Sequence, residues 1–349
     1  MAAIPFRERL ERGTILVDGA MGTMLHALRR LPLDICFDLL NADDPELVKE
    51  IHRRYIQAGA EVIETNTFSA NRYKLAACSA QDRCAELNRA GVRLAQEAIA
   101  ELGRDDVYVA GSVGPLGVRL APYGRITPEE ARAAFREQVG ALIEAGADVL
   151  IFETFTDLYE IAEAVGAARD VDADVPVIAQ MTFTRDDRTV LGDTPAQVAR
   201  TLAETGADVI GVNCSGGPAQ LLRILQLMRR AVPDARYSVL PNAGWPEMVG
   251  GRVCGGRLLR HDAGAHPRHA RGARRPRASP SDAGRGQRPR VLRSQRDAGA
   301  PHQARAKAGG GAIRGQRGNA AAAQLHRAES DRLGGAFARG GRGLHQRLR

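Results

Sequence analysis

One six-residue pattern recurs three times and constrains the fold more than any other feature of the chain. It reads Ala58-Gly59-Ala60-Glu61-Val62-Ile63, then Ala145-Gly146-Ala147-Asp148-Val149-Leu150, then Thr205-Gly206-Ala207-Asp208-Val209-Ile210. A glycine that ends a helix in the left-handed conformation, followed at once by an apolar run, marks a helix-to-buried-strand junction. The flanking segments agree. Short apolar runs at 14–17, 61–65, 107–111, 149–153, 176–181, 209–213 and 237–240 alternate with amphipathic stretches such as 45–58, 79–102, 127–145 and 194–205. The last two open on Thr127-Pro128 and Thr194-Pro195, an N-cap threonine with proline at the first helical position.

Strand–helix units repeated this way specify a parallel α/β architecture. Seven such strands fit a (β/α)8 TIM barrel better than a doubly wound sheet, and no Gly-x-Gly-x-x-Gly follows the first of them. An eighth strand belongs roughly 30 residues after Leu240, yet nothing in 255–290 resembles one. Composition breaks at the same place. Residues 251–349 carry 23 Lys and Arg against 5 Asp and Glu, whereas residues 1–250 carry 26 against 36. The net charge of +8 for the 349 residues therefore belongs to the tail. The tail is mostly Arg, Gly and Ala, with Phe337 its only aromatic, and has too little apolar surface to offset its chain entropy. Three readings of it stand: a basic segment binding nucleic acid through phosphates, a solvated linker, or out-of-frame translation of GC-rich DNA. The organisation expected is an incomplete (β/α)8 barrel module over 8–253 with strand 8 missing, then a disordered or out-of-frame tail over 254–349.

Other classes are excluded. No run reaches the roughly 18 apolar residues of a membrane span, and the first residues lack the apolar core of a signal peptide. Cys36, Cys78, Cys84, Cys214 and Cys254 are too few and scattered for a disulfide scaffold. The expectation is a reduced, cytoplasmic protein, with Cys36 a packing residue and Cys78 and Cys84 structural. His26 and His52 read as structural, and Trp245 as a lid or loop anchor.

A barrel carries its chemistry at the C-terminal ends of its strands. Those ends read Asp18-Gly19-Ala20-Met21-Gly22-Thr23, Glu64-Thr65-Asn66-Thr67-Phe68, Gly111-Ser112-Val113-Gly114-Pro115, Phe152-Glu153-Thr154, Gln180-Met181-Thr182, Asn213-Cys214-Ser215-Gly216-Gly217-Pro218 and Pro241-Asn242-Ala243-Gly244. Singly each has an ordinary alternative: Asp18 as a turn cap, Glu153 in an ion pair, Cys214 as a buried small hydrophobe, Asn66 and Asn213 bonded to loop backbone. Together they make a polar pocket.

Five of these motifs, in this order, resemble the zinc-dependent homocysteine S-methyltransferase family, including the homocysteine-binding module of methionine synthase. The closest likeness is to the bacterial proteins that join this module to a methylenetetrahydrofolate reductase domain. The likeness covers about 8–253. It implies a methyl transfer to the zinc-bound thiolate of homocysteine, giving methionine. The metal matters because a thiol with a pKa of roughly 8.5 is mostly protonated at neutral pH. By resemblance Cys214 is the first zinc ligand, and Asp18 and Glu153 receive the amino group of homocysteine. Backbone N–H groups at Ala20 and Met21 take its carboxylate, and Asn213 supports the metal loop. The methyl donor stays open among methyltetrahydrofolate acting through cobalamin, S-methylmethionine and betaine. One departure is large. The family's other two zinc ligands are an adjacent Cys-Cys pair in Gly-Gly-Cys-Cys-Gly on strand 8, and this chain has no adjacent cysteines. A reading-frame change near Val253 accounts for both the lost motif and the tail, and implies an incomplete zinc site with impaired activity.

Overall fold

The three repeated junctions share one backbone geometry. Gly59, Gly146 and Gly206 have φ of 106°, 90° and 79°. A Cβ would meet no atom within 4 Å at Gly59 or Gly206, so backbone conformation and not space demands glycine there. The structure is a computed structural model, and it describes residues 4–31, 35–242, 246–249 and 252–255.

Helices run α1 (Phe6–Glu11), α2 (Met21–Arg29), α3 (Leu40–Asp43), α4 (Pro45–Gln57), α5 (Arg72–Ala76), α6 (Cys84–Glu101), α7 (Pro128–Glu144), α8 (Leu158–Val171), α9 (Pro195–Glu204) and α10 (Pro218–Ala231). Strands are β1 (Val62–Glu64), β2 (Tyr108–Val113), β3 (Val149–Phe155), β4 (Val177–Met181), β5 (Val209–Asn213) and β6 (Tyr237–Leu240). β1 to β6 form one sheet in sequential order, every neighbouring pair parallel. That is the curved wall of a partial barrel. Both threonine-capped helices form as expected. Thr127 and Thr194 each accept from the backbone N–H three residues on, and Glu130 and Gln197 reciprocate.

One expectation needs correction, and the chain adds a hairpin beyond the expected strands. The run at 14–17 is not a full strand. It touches the sheet through a single parallel bridge, Val17 to Val62, with Leu16 O accepting from Val62 N at 3.2 Å. The chain turns into α2 too soon to extend the ladder. Beyond β6, the ladder does not continue in parallel among the described residues. Instead β7 (Pro246–Val249) and β8 (Arg252–Gly255) pair antiparallel as a separate hairpin. The expected tail, from 256 on, and Trp245 lie outside the described residues.

The sheet's two faces follow the two-residue period of a strand. Outward positions Ile63, Val109, Leu150, Phe152, Val177, Ala179, Ile210 and Val212 pack against the helices in the main core. Inward positions Val62, Tyr108, Ala110, Val149, Ile151, Ile178 and Val209 form a second core, closed below by Phe6 of α1. The Phe6 ring meets Tyr108 edge-on at 5.4 Å.

Candidate functional site

The inward-facing positions change character toward the strand C-termini. Two residues beyond each apolar floor residue stand Glu64, Ser112, Glu153, Gln180 and, on β5, Asn213 after Gly211. Asp18 joins them from the bridge that ends at Val17. Its backbone N–H donates to Val62 O at 2.9 Å and its Oδ2 accepts from Glu64 N at 3.1 Å.

Three carboxyl groups thus converge. Ser112 Oγ donates to Glu153 Oε1 at 2.7 Å, and Asn213 Nδ2 reaches Glu153 Oε2 at 3.3 Å. Among the described residues Asp18 Oδ1, Glu64 Oε1 and Gln180 Oε1 are buried without a hydrogen-bond partner. Burial pushes the Asp18 carboxyl well above its ordinary range, opposed by the Glu64 amide and reinforced by Glu153. Burial raises Glu64 as strongly, with Glu153 and Asp18 adding to it. Glu153 is raised by burial and partly relieved by Ser112 and the nearby Lys74 cation. Lys74 directs its ammonium to Ser69 Oγ at 3.4 Å and over the Phe68 ring at 4.4 Å. A cluster of like-charged acceptors with unused lone pairs favours a cation.

Local backbone irregularity aims these groups. The β3–β4 register shifts between Phe152 and Phe155, a bulge that carries Glu153 and Thr154. Thr154 has φ 65°, and Cys214 and Ser215 have φ 57° and 55°. Three of the six non-glycine residues with positive φ among the described residues therefore sit at this rim. Asn213 holds the two strand ends together. Its Oδ1 accepts from Thr154 N and its Nδ2 donates to Thr154 Oγ1, both at 2.8 Å, while Thr182 Oγ1 donates to Asn213 O at 3.0 Å. The next residue, Cys214, is half-buried, and its sulfur accepts from Asn242 Nδ2 at 3.5 Å. Ala20, two residues after Asp18, is the N-cap of the nine-residue α2, and no side chain caps the first amides of that helix. Tyr55 Oη holds this turn by donating to Ala20 O at 3.1 Å.

The structure therefore brings Asp18, Glu153, Asn213 and Cys214 to one rim and sets Ala20 and Met21 at a helix start beside it. Glu64, Ser112, Thr154 and Asn242 complete the cluster. Their position in the strand-end motifs was the available signal, but which oxygen stays unpartnered depends on register. Asn66 belongs to the scaffold: its Nδ2 donates to Phe37 O at 2.8 Å and Asn41 Oδ1 at 3.0 Å. His52 is fully buried, and His26 Nδ1 lies 2.8 Å from Leu31 O.

The cysteines depart from the reduced-thiol expectation. Cys36 and Cys78 form a disulfide that ties the segment before α3 to the end of α5. Nothing in their 42-residue separation signals this; the fold brings their Cα atoms to 6.6 Å. Cys84 is fully buried, donates to Ala70 O, and has its thiol pushed up to about 12 by burial. Among the described residues no group of three His, Cys, Asp or Glu is placed to hold a metal ion. A tetrahedral zinc site needs three protein ligands even when one position is left for substrate. The described residues at the rim, among which Cys214 is the one thiol, do not fit zinc.

Comparison with known proteins extends the likeness. The family model described as homocysteine S-methyltransferase matches residues 15–267. The chain is 35% identical over 251 residues to methionine synthase of Mycobacterium tuberculosis and 33% identical over 253 residues to that of Mycobacterium leprae. Each match covers 68% of this chain and 21% of the relative, so the chain spans about a fifth of the methionine synthases it matches. Crystal structures of the homocysteine methyltransferase MmuM from Escherichia coli superpose with a TM-score of 0.59 at 29% identity in both the oxidized and metallated forms. They cover 69% of this chain and 87% and 88% of MmuM respectively. No described helix is long and apolar enough to cross a membrane.

Proposed function

The chain belongs to the homocysteine S-methyltransferase family, and from that premise we propose that its rim binds homocysteine by the amino-acid end. The observation that carries the reading is the pair of carboxyls Asp18 and Glu153, brought together from distant parts of the sequence with an unpartnered oxygen on Asp18. An α-ammonium supplies the cation this pair lacks. The α-carboxylate goes to the uncapped start of α2 at Ala20 and Met21, where free amides and the helix dipole favour an anion. With the ammonium and carboxylate so held, the homocysteine side chain extends toward Cys214, and Asn213 holds that loop against β3.

The reaction class is transfer of a methyl group to the homocysteine sulfur, giving methionine. The chain as written performs it poorly. Two of its five cysteines are joined to each other, one is buried in the helical layer, and no Cys-Cys pair exists. The thiol of bound homocysteine is therefore left mostly protonated at neutral pH. The donor is a methyl carrier of the folate, cobalamin, sulfonium or betaine type.

The test uses the full chain. Homocysteine binding that Asp18→Asn and Glu153→Gln each abolish, with zinc content far below one per chain and no methionine formed, is the expected result. Near-stoichiometric tight zinc and methionine formation would overturn the impairment. Translating the coding DNA across codons 245–290 in all three frames adds an independent check. An apolar strand followed by Gly-Gly-Cys-Cys-Gly in another frame identifies the tail as a frame change. The restored protein is then expected to bind zinc and form methionine.

A further inference from the structure

In the segment 64–68, all but one of the polar side chains are used up by the fold. Thr65 Oγ1 accepts from Ser112 N at 3.0 Å, Thr67 Oγ1 donates to Ser112 O at 2.8 Å, and Asn66 braces the loop through Phe37 and Asn41. Glu64 is the exception. It stands at an inward position at the end of β1, and among the described residues its buried Oε1 has no donor to accept from. Its own backbone N–H reaches Asp18 Oδ2 at 3.1 Å, which sets the two carboxyls side by side. Burying two such oxygens unpartnered costs free energy in the empty pocket, and a bound cation would offset it.

We propose that Glu64 is a third acceptor for the substrate ammonium and makes the pocket specific for an unsubstituted primary amine. A primary ammonium carries three N–H donors in a trigonal spread. The pocket offers three acidic side chains: Asp18 and Glu64, with Oδ1 and Oε1 unpartnered among the described residues, and Glu153, whose Oε2 accepts from Asn213 Nδ2 at 3.3 Å. An N-acylated or N-dialkylated amino acid lacks the donors and brings bulk into a buried corner. The titratable groups facing Glu64 are Asp18, Glu153 and the Tyr55 hydroxyl, and Lys74 faces Glu153. Burial raises all three carboxyls of the empty cluster and an incoming ammonium favours their charged forms, so binding is expected to release protons to solvent. The inference rests on the homocysteine reading above.

The test is calorimetric titration of the full chain with homocysteine and with 4-mercaptobutyrate, the same thiol chain without the amine. Two buffers of different ionisation enthalpy count the protons released. Glu64→Gln keeps the shape and removes the charge. It is expected to weaken homocysteine roughly tenfold or more, to leave 4-mercaptobutyrate unchanged, and to lower the proton count. Glu64→Asp is expected to recover part of the loss. Thermal midpoints establish that each variant is folded, and Glu64→Met, of similar volume, replaces Glu64→Gln if the latter does not fold. If Glu64→Gln binds homocysteine as the parent does while Asp18→Asn and Glu153→Gln fail to, Glu64 has no such role and the homocysteine reading stands. If the parent chain does not prefer homocysteine over 4-mercaptobutyrate, that reading fails and this inference falls with it.

Discussion

The floor and the rim of this barrel are built from the same strands and the same inward-facing positions, two residues apart. On β3 the floor is Ile151 and the rim is Glu153; on β1 it is Val62 and Glu64; on β2, Ala110 and Ser112. At the floor every inward side chain is apolar and sealed by Phe6. At the rim the side chains are acids, amides and a hydroxyl, with buried oxygens that none of the described residues satisfies. The floor stabilises by burial, and the rim is tolerated because the floor and the helical layer hold it in place. One strand thus carries an apolar packing position and a buried polar one in succession, and the change takes a single step of the period.

The sharpest way to break this contrast is to move the rim's chemistry down one step. Ile151→Glu places a carboxyl where no donor or cation waits, and loss of cooperative folding is expected by circular dichroism, a cost of several kcal/mol. Ile151→Ala, which only empties the space, is expected to cost about 2–5 kcal/mol in urea unfolding. At the rim the sign reverses. Asp18→Asn and Glu153→Gln relieve buried like charges, so the thermal midpoint of each is expected to hold or rise by roughly a few degrees while homocysteine binding is lost.

A pH series sharpens the same comparison. Burial raises Asp38, in the helical turn before α3, to about 6 and Glu160, in the first turn of α8, to about 7. These carboxyls bind more protons folded than unfolded. Their contribution is full below the ordinary carboxylate pKa of about 4 and is lost as pH rises through about 6 and about 7. His52, lowered by burial to about 4, acts the other way: its contribution is present above about 6.5 and lost as pH falls through about 4. The thermal midpoint is therefore expected to rise by roughly a few degrees from pH 8 to pH 6, and less in Glu160→Gln. A midpoint that instead falls over that interval contradicts the assignment. The smallest effect lies outside both regions. Thr127→Ala removes one helix cap and is expected to cost about 1 kcal/mol without touching binding.

Much of this was legible in the chain as written. The helix-ending glycines, the threonine caps and the apolar runs are local, and local chemistry decides them. Gly59, Gly146 and Gly206 took the positive φ that their motif requires, and α7 and α9 began where Thr127 and Thr194 said they would. Asp18, Glu153, Asn213 and Cys214 were legible for a related reason: a parallel barrel sends all its strand ends to one side, so order along the chain fixes a shared rim. The missing Cys-Cys pair was legible too, since adjacency is a property of sequence alone. Tertiary structure decided the rest. The reduction of the run at 14–17 to one bridge at Val17 depends on where α2 departs. The pairing of Cys36 with Cys78 depends on two loops meeting across the helical layer. The bulge at Glu153–Thr154, and the choice of Glu64 over Thr65 or Asn66 as the side chain left unpartnered, depend on the register between strands some 40 residues apart. Register is settled by which hydrogen bonds and packing contacts can form together, and no single segment carries that information.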